Sequence, residues 1–245
     1  NKGDKVFGES LTIFSTHAEY ICIKEDGIIT TKPDDISYSE AAVVCDGLIT
    51  SLNFLKNVAD IKPGQSILIN GASGSLGTAA VQLAKRFGAI VTGVCSTRNI
   101  ELVKSLGADE VIDYTKVDFT EDGQCYDIIY DTVGKSSFSK CKSSLTKKGV
   151  YMSPVLAFSL LVQMLRTSIS GNKKAKFSAT GMLPIADIQN FLQDAKEFLE
   201  IGGLKMIIDK SFTLGQIADA HRYIDLGHKK GNVVVSDLPN LASEV

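Results

Sequence analysis

The sequence contains no tryptophan, only three histidines and five prolines, and aromatic residues make up 7% of it. It also lacks an excess of either charge: 26 basic and 28 acidic residues leave a formal net charge of -2. With no basic surplus to neutralise a phosphate backbone, no nucleic acid partner is expected. Long apolar runs are missing too. The most apolar window, residues 154–169 (PVLAFSLLVQMLRTSI), carries Gln163 and Arg166. It is too short to cross about 30 Å of hydrocarbon as a helix, so a buried or interface helix is predicted there and no membrane partner. The five cysteines, Cys22, Cys45, Cys95, Cys125 and Cys141, are scattered and form no CxxC pair, which argues against a disulfide framework or zinc knuckle and suits a reducing, cytoplasmic setting. His17, His221 and His228 are not spaced as a metal-binding pair. The opening Asn1-Lys2-Gly3-Asp4 shows no secretory signal pattern.

What is present is an alternation. At 245 residues and 44% hydrophobic, the chain is long enough for one large domain or two small ones. From about Gly64 onward, short β-branched runs alternate with helical patterns: residues 66–70 (SILIN), 90–94 (IVTGV), 110–113 (EVID), 126–130 (YDIIY), 149–153 (GVYMS) and 176–179 (KFSA). Between them lie helical stretches such as 78–87, closed by Gly88, and 99–106, closed by Gly107. Such βαβ repetition predicts an α/β fold with a doubly wound, six-stranded parallel sheet covered on both faces. Residues 1 to 40 read instead as short strands with turns (5–7 and 17–24), ending at the Lys32-Pro33-Asp34 break. After Gly181 come a helix (186–199), a strand (205–209), a helix (214–226) and a strand (232–236), and residues 238–245 read as a tail.

The sharpest local signal is the strand 66–70 running directly into Gly71-Ala72-Ser73-Gly74-Ser75-Leu76-Gly77 and then a helix. Glycines there let the chain turn tightly, let the backbone approach a pyrophosphate, and let helix and strand pack closely. The first-turn N–H groups then face an anion. A site preferring NAD usually has an acid about 20 residues further on, where its carboxylate meets the adenosine ribose. Here that place reads Cys95-Ser96-Thr97-Arg98: no acid, two hydroxyls and a guanidinium, which favours the 2′-phosphate of NADP(H). Ser96 and Thr97 also suit the N-cap of the next helix.

Residues 62–69 (KPGQSILI), 71–85 (GASGSLGTAAVQLAK), 106–115 (LGADEVIDYT), 126–135 (YDIIYDTVGK) and 220–235 (AHRYIDLGHKKGNVVV) together resemble the medium-chain dehydrogenase/reductase superfamily, in its quinone-oxidoreductase-like (zeta-crystallin-related) branch. The resemblance implies a GroES-like catalytic domain, represented here by residues 1–44 and 181–245, around a nucleotide-binding Rossmann domain at 45–180. It implies that an N-terminal segment of the catalytic domain precedes residue 1 and carries the catalytic residues. It also places Tyr114 near the 2′-phosphate, Thr132, Val133 and Gly134 beside the nicotinamide ribose, and Thr50 near the nicotinamide. Asn232 stands where many relatives have a basic residue near the pyrophosphate, with Lys229 or Lys230 as either its substitute or a solvated side chain. A homodimer is implied, through the sheet edge near Lys176.

The same resemblance bears on zinc. Zinc-dependent relatives carry a cysteine-ligated lobe between the segments matching residues 5–9 and 16–21, and no cysteine lies between them here. Cys45 lies beside a ligand position that Asp46 occupies in an ungapped match, and reads as a packing residue. The implied activity is hydride transfer from NADPH to a small-molecule electron acceptor, a quinone, enone or carbonyl, without zinc. Asp46, Thr50 and Ser51 are its pocket candidates. The competing readings are a zinc-dependent alcohol dehydrogenase and a nucleotide-binding protein without turnover.

Overall fold

In the computed structural model, residues 1–10 and 16–237 are described. The predicted tail, 238–245, and part of the loop at which the zinc lobe would sit lie outside them. In chain order the elements are β1 (Val6–Glu9), β2 (Ile28–Thr31), α1 (Tyr38–Val43), a π-helical turn (Val44–Leu48), α2 (Ile49–Leu52) and a second π turn (Asn53–Val58). Then come β3 (Ser66–Asn70), α3 (Ser75–Arg86), β4 (Ile90–Cys95), α4 (Ile100–Ser105), β5 (Glu110–Asp113) and β6 (Tyr126–Asp131). They are followed by α5 (Phe138–Cys141), β7 (Leu145–Ser153), α6 (Phe158–Ile169), β8 (Lys174–Phe177), α7 (Ile185–Ile201), β9 (Ile208–Phe212), α8 (Ile217–Asp225) and β10 (Asn232–Val235). The chain divides into two units, one of Asn1–Thr50 with Thr180–Val245 and one of Ser51–Ala179.

The second unit holds the expected sheet, six parallel strands in the order β5-β4-β3-β6-β7-β8. Its central strands are buried on both faces: Ile67, Leu68, Ile69, Ile128, Ile129 and Tyr130 are essentially inaccessible. This is why they read as continuous apolar runs rather than alternating ones. Phe54 stacks on Tyr130 at 4.9 Å between ring centroids. Gly88 and Gly107 close their helices with φ of 78° and 101°, the left-handed geometry that favours glycine. Strand order reverses between β3 and β6, and the crevice beyond the carboxyl ends of these two strands is where such sheets take ligands.

The first unit is less regular. β1 pairs antiparallel with β2, and β9 pairs in parallel with β10. Residues 17–24, predicted as a strand, are irregular, and the chain becomes extended only at Ile28. Their side chains are mostly exposed, so no apolar face holds them in a ladder. The last-third strands are shifted as well: β8 begins at Lys174 rather than Lys176, and β9 spans 208–212 rather than 205–209. Of the two alternatives for helix α6, buried or interface, the first does not hold: it buries only Leu160 and Thr167 and leaves Phe158, Leu161, Leu165 and Ile169 exposed along one face.

Candidate functional site

Gly71 leaves β3 with φ of 83°. Its N–H and that of Ala72 both donate to the Val94 carbonyl, at 3.1 and 3.0 Å, which ties the turn to β4. A Cβ on Gly77 would stand 2.1 Å from the Gly71 carbonyl oxygen, so helix and turn touch backbone to backbone. At Gly74 a Cβ would meet nothing closer than 3.5 Å. Gly74, the N-cap of α3, has no side chain with which to cap the helix, whose first-turn N–H groups have no carbonyl within the helix to donate to. A methyl would fit the open space in front of Gly74, and so would a phosphate oxygen. Ser51, proposed as a pocket residue, is instead buried, and its hydroxyl donates to the Leu76 carbonyl at 3.0 Å.

The loop after β6 lies against this turn. A Cβ on Gly71 would come within 2.6 Å of Thr132 Oγ1 and 2.8 Å of Val133 Cγ1. Thr132 donates its hydroxyl to the Asn70 carbonyl at 2.7 Å, and Gly134 takes φ of 66°. Fully buried Asp131 organises the loop. Its Oδ1 accepts from Asn70 Nδ2 at 3.0 Å and from the Val133 and Gly134 N–H groups at 3.3 and 3.0 Å. Its Oδ2 accepts from the Ser136 N–H at 2.8 Å and the Tyr151 hydroxyl at 3.1 Å. Burial, and then the Asp131 charge, push the Tyr151 phenol well above its ordinary range, so it stays a donor.

Beyond β4 the structure corrects one expectation. Parallel pairing sets Asp113, the last residue of β5, opposite Cys95. The Asp113 carboxylate accepts the Thr97 hydroxyl at 2.5 Å, the Thr115 hydroxyl at 2.7 Å and the Thr115 N–H at 3.0 Å, and Lys116 Nζ lies 3.5 Å away. The Thr97 bond, then that from Thr115, hold its carboxyl down to about 2. An acid therefore does stand at this strand end, supplied by the neighbouring strand, and it accepts the hydrogen bond that the Thr97 hydroxyl donates. Ser96 is the N-cap of the short turn Thr97–Asn99 but makes no capping bond through its side chain. Buried Asn99 donates to Ser73 Oγ at 2.9 Å and so ties this segment to the phosphate turn. Tyr114 is exposed, its N–H bonded to the Cys95 carbonyl at 3.1 Å.

Gly71, Gly74, Ser75, Leu76, Gly77, Ser96, Thr97, Arg98, Tyr114, Thr132, Val133 and Gly134 thus all belong to the second unit, at the carboxyl ends of its strands. Thr50 and Asn232 belong to the first unit. There Asn232 is buried, its side-chain amide donating to the Ile207 carbonyl at 3.2 Å. Lys229 donates to the Gly231 carbonyl at 2.6 Å, and burial lowers its ammonium below the usual lysine range. Lys230 engages Asp209 through its N–H at 3.0 Å. A cavity of about 710 Å³ in this unit is lined by His17, Glu19, Asp46, Asn232 and Asp237, among others.

Burial pushes the Cys45 thiol up to about 12, helped by the charges of Glu9 and Asp46. Among the described residues no three histidine, cysteine or acidic side chains converge into a metal cluster. The His17 and His221 rings meet edge to face at 5.9 Å between centroids. Among the described residues no helix is long and apolar enough to cross a membrane.

Three comparisons complete the picture. The family model described as zinc-binding dehydrogenase matches residues 106–235. The chain is 30% identical to 2-methylene-furan-3-one reductase of Solanum lycopersicum over 97% of its own length and 58% of that protein's. It is also 30% identical to the chloroplast envelope quinone oxidoreductase homolog of Arabidopsis thaliana, over 95% of its length and 72% of that protein's. It superposes on the quinone oxidoreductase from Coxiella burnetii with a TM-score of 0.81 at 28% identity, covering 96% of this chain and 72% of that one. The chain therefore spans less than two thirds of the first of these relatives.

Proposed function

The chain belongs to the zinc-binding dehydrogenase family, within the medium-chain dehydrogenase/reductases, and from that premise we propose that it is the nucleotide-holding part of an NADP(H)-dependent reductase. The acceptor class is a quinone, enone or activated carbonyl, and polarisation of the acceptor proceeds without zinc. One observation carries the nucleotide reading: an uncapped helix N-terminus at Gly74 beside a loop that a buried carboxylate holds in place.

In this reading the first-turn N–H groups of α3 bind the pyrophosphate, where the helix dipole favours negative charge. Thr132, Val133 and Gly134 position the nicotinamide ribose, and Asp131 fixes their backbone through its five hydrogen bonds. Ser96, Arg98 and Tyr114 face the adenosine end. Thr50 and Asn232 are the first unit's candidate contacts. When bound, the cofactor supplies the hydride; the chain's own residues orient it and shield it from water.

Two of the relatives, a 2-methylene-furan-3-one reductase and a quinone oxidoreductase homolog, support this acceptor class by their names. We also propose a homodimer through the sheet edge at β8, beside the exposed apolar face of α6, and a reducing, cytoplasmic setting for the five free cysteines. The test of function is NADPH oxidation by the full-length protein against a panel of quinones and enones, before and after chelation. Turnover unaffected by chelation is expected. Tight NADPH binding with no turnover on any acceptor would reduce the protein to a binding module.

A further inference from the structure

The adenosine end contains a group that the glycine turn does not explain. Its position follows from the register of β4 and β5: Cys95 and Asp113 are paired, so the Asp113 carboxylate sits at the carboxyl ends of the strands. In sheets of this kind the adenosine ribose lies there, and a carboxylate that accepts from its hydroxyls favours the unphosphorylated nucleotide.

The hydrogen bonds around Asp113 point the same way. Thr97 and Thr115 both turn their hydroxyl protons toward the carboxylate, and their own oxygens lie 3.3 Å apart. What these hydroxyls offer outward is therefore lone pairs. A ribose hydroxyl, which can donate, suits such a surface; a phosphate, which only accepts, does not. A phosphate placed against Thr97 would also stand within about 5 Å of an ionised carboxylate, two hydrogen-bond lengths away. Lys116 neutralises part of that charge, but its side chain is 66% exposed and the pair is screened by solvent. Arg98 and Ser96 carry the opposite preference.

We propose that Asp113 is a specificity-determining residue: by opposing the 2′-phosphate it narrows the margin by which the site prefers NADPH to NADH. This inference rests on the dinucleotide reading of the glycine turn. ADP-ribose and 2′-phospho-ADP-ribose, which carry the adenosine end without the nicotinamide, are the probes, and calorimetry on the full-length protein is the measurement. On the unaltered protein the two affinities differ by no more than about tenfold, since donors and carboxylate oppose each other. In Asp113→Asn the ratio of the two affinities shifts about tenfold towards 2′-phospho-ADP-ribose, and the shift shrinks as salt screens it. A ratio unchanged in Asp113→Asn overturns the role of Asp113 while leaving the nucleotide site standing. A thousandfold preference in the unaltered protein overturns it even if the variant fails to fold. Binding of neither probe overturns the nucleotide site itself, and this proposal with it.

Discussion

At the scale of single residues, the five free cysteines separate into two kinds. Burial pushes Cys45 up to about 12 and Cys95 and Cys141 up to about 11, while Cys22 and Cys125 lie exposed. A raised thiol constant means the neutral form persists in the folded protein far above neutral pH, and only the thiolate reacts. Alkylation with iodoacetamide near pH 8, followed by peptide mass spectrometry, is expected to label Cys22 and Cys125 first. The other three react only when the protein unfolds, and labelling of Cys45 as fast as Cys22 would contradict this ordering. Part of this scale was legible in the sequence: Gly71, Gly74 and Gly77 lie in the turn that joins β3 to α3, as their spacing predicts. Asp113 did not declare itself, because its proximity to Thr97 depends on which strand pairs with which and in what register. Asp131 stood in a motif already singled out, yet its role needs Asn70 and Tyr151, brought in by β3 and β7.

Among the elements, the strand-turn-helix unit of β3 and α3 makes the three glycines separable. Gly77→Ala would drive a methyl to 2.1 Å from a carbonyl oxygen and costs about 3 kcal/mol or more of stability, since backbone, not a side chain, must move. Gly74→Ala meets open space and changes stability by less than about 1 kcal/mol, yet it places a methyl where a pyrophosphate would approach, lowering nucleotide affinity about tenfold. Thermal unfolding and ADP-ribose titration of both variants check this; equal destabilisation of the two would contradict it. The parallel strands were legible because burial on both faces leaves an unbroken β-branched run. The segment from Tyr38 was not read as a helix, although Ser37 and Glu40 form a capping box that marks its start: Glu40 accepts from the Ser37 N–H at 2.8 Å, and Ser37 Oγ accepts from the Glu40 N–H at 3.1 Å. The failed strand at 17–24 shows the converse, since local β-propensity without a buried face does not make a ladder.

For the whole molecule, the exposed apolar face of α6 and the open edge of β8 are the features that a lone copy leaves uncovered. The full-length protein is expected at dimer mass in light scattering. Phe158→Asp combined with Leu165→Asp, both at exposed positions, shifts it to monomer with little loss of fold; a monomeric parent would contradict the dimer. The sequence signalled the helix and left open whether it is buried or at an interface, because an apolar stripe reads the same whether it faces a core or a second subunit.

The division of the chain also sets an order of events during synthesis. Residues 1–50 emerge before the sheet unit, and residues 180–245 of the same unit emerge after it. At ribosomal rates of about 5–20 residues per second, residues 1–50 wait on the order of ten seconds for residues 180–245 while the sheet unit is made. The nascent chain thus exposes Val43, Val44 and Leu48, residues buried at the end, for the whole of that interval. Chaperone demand during translation should concentrate on this early segment rather than on the sheet that follows it.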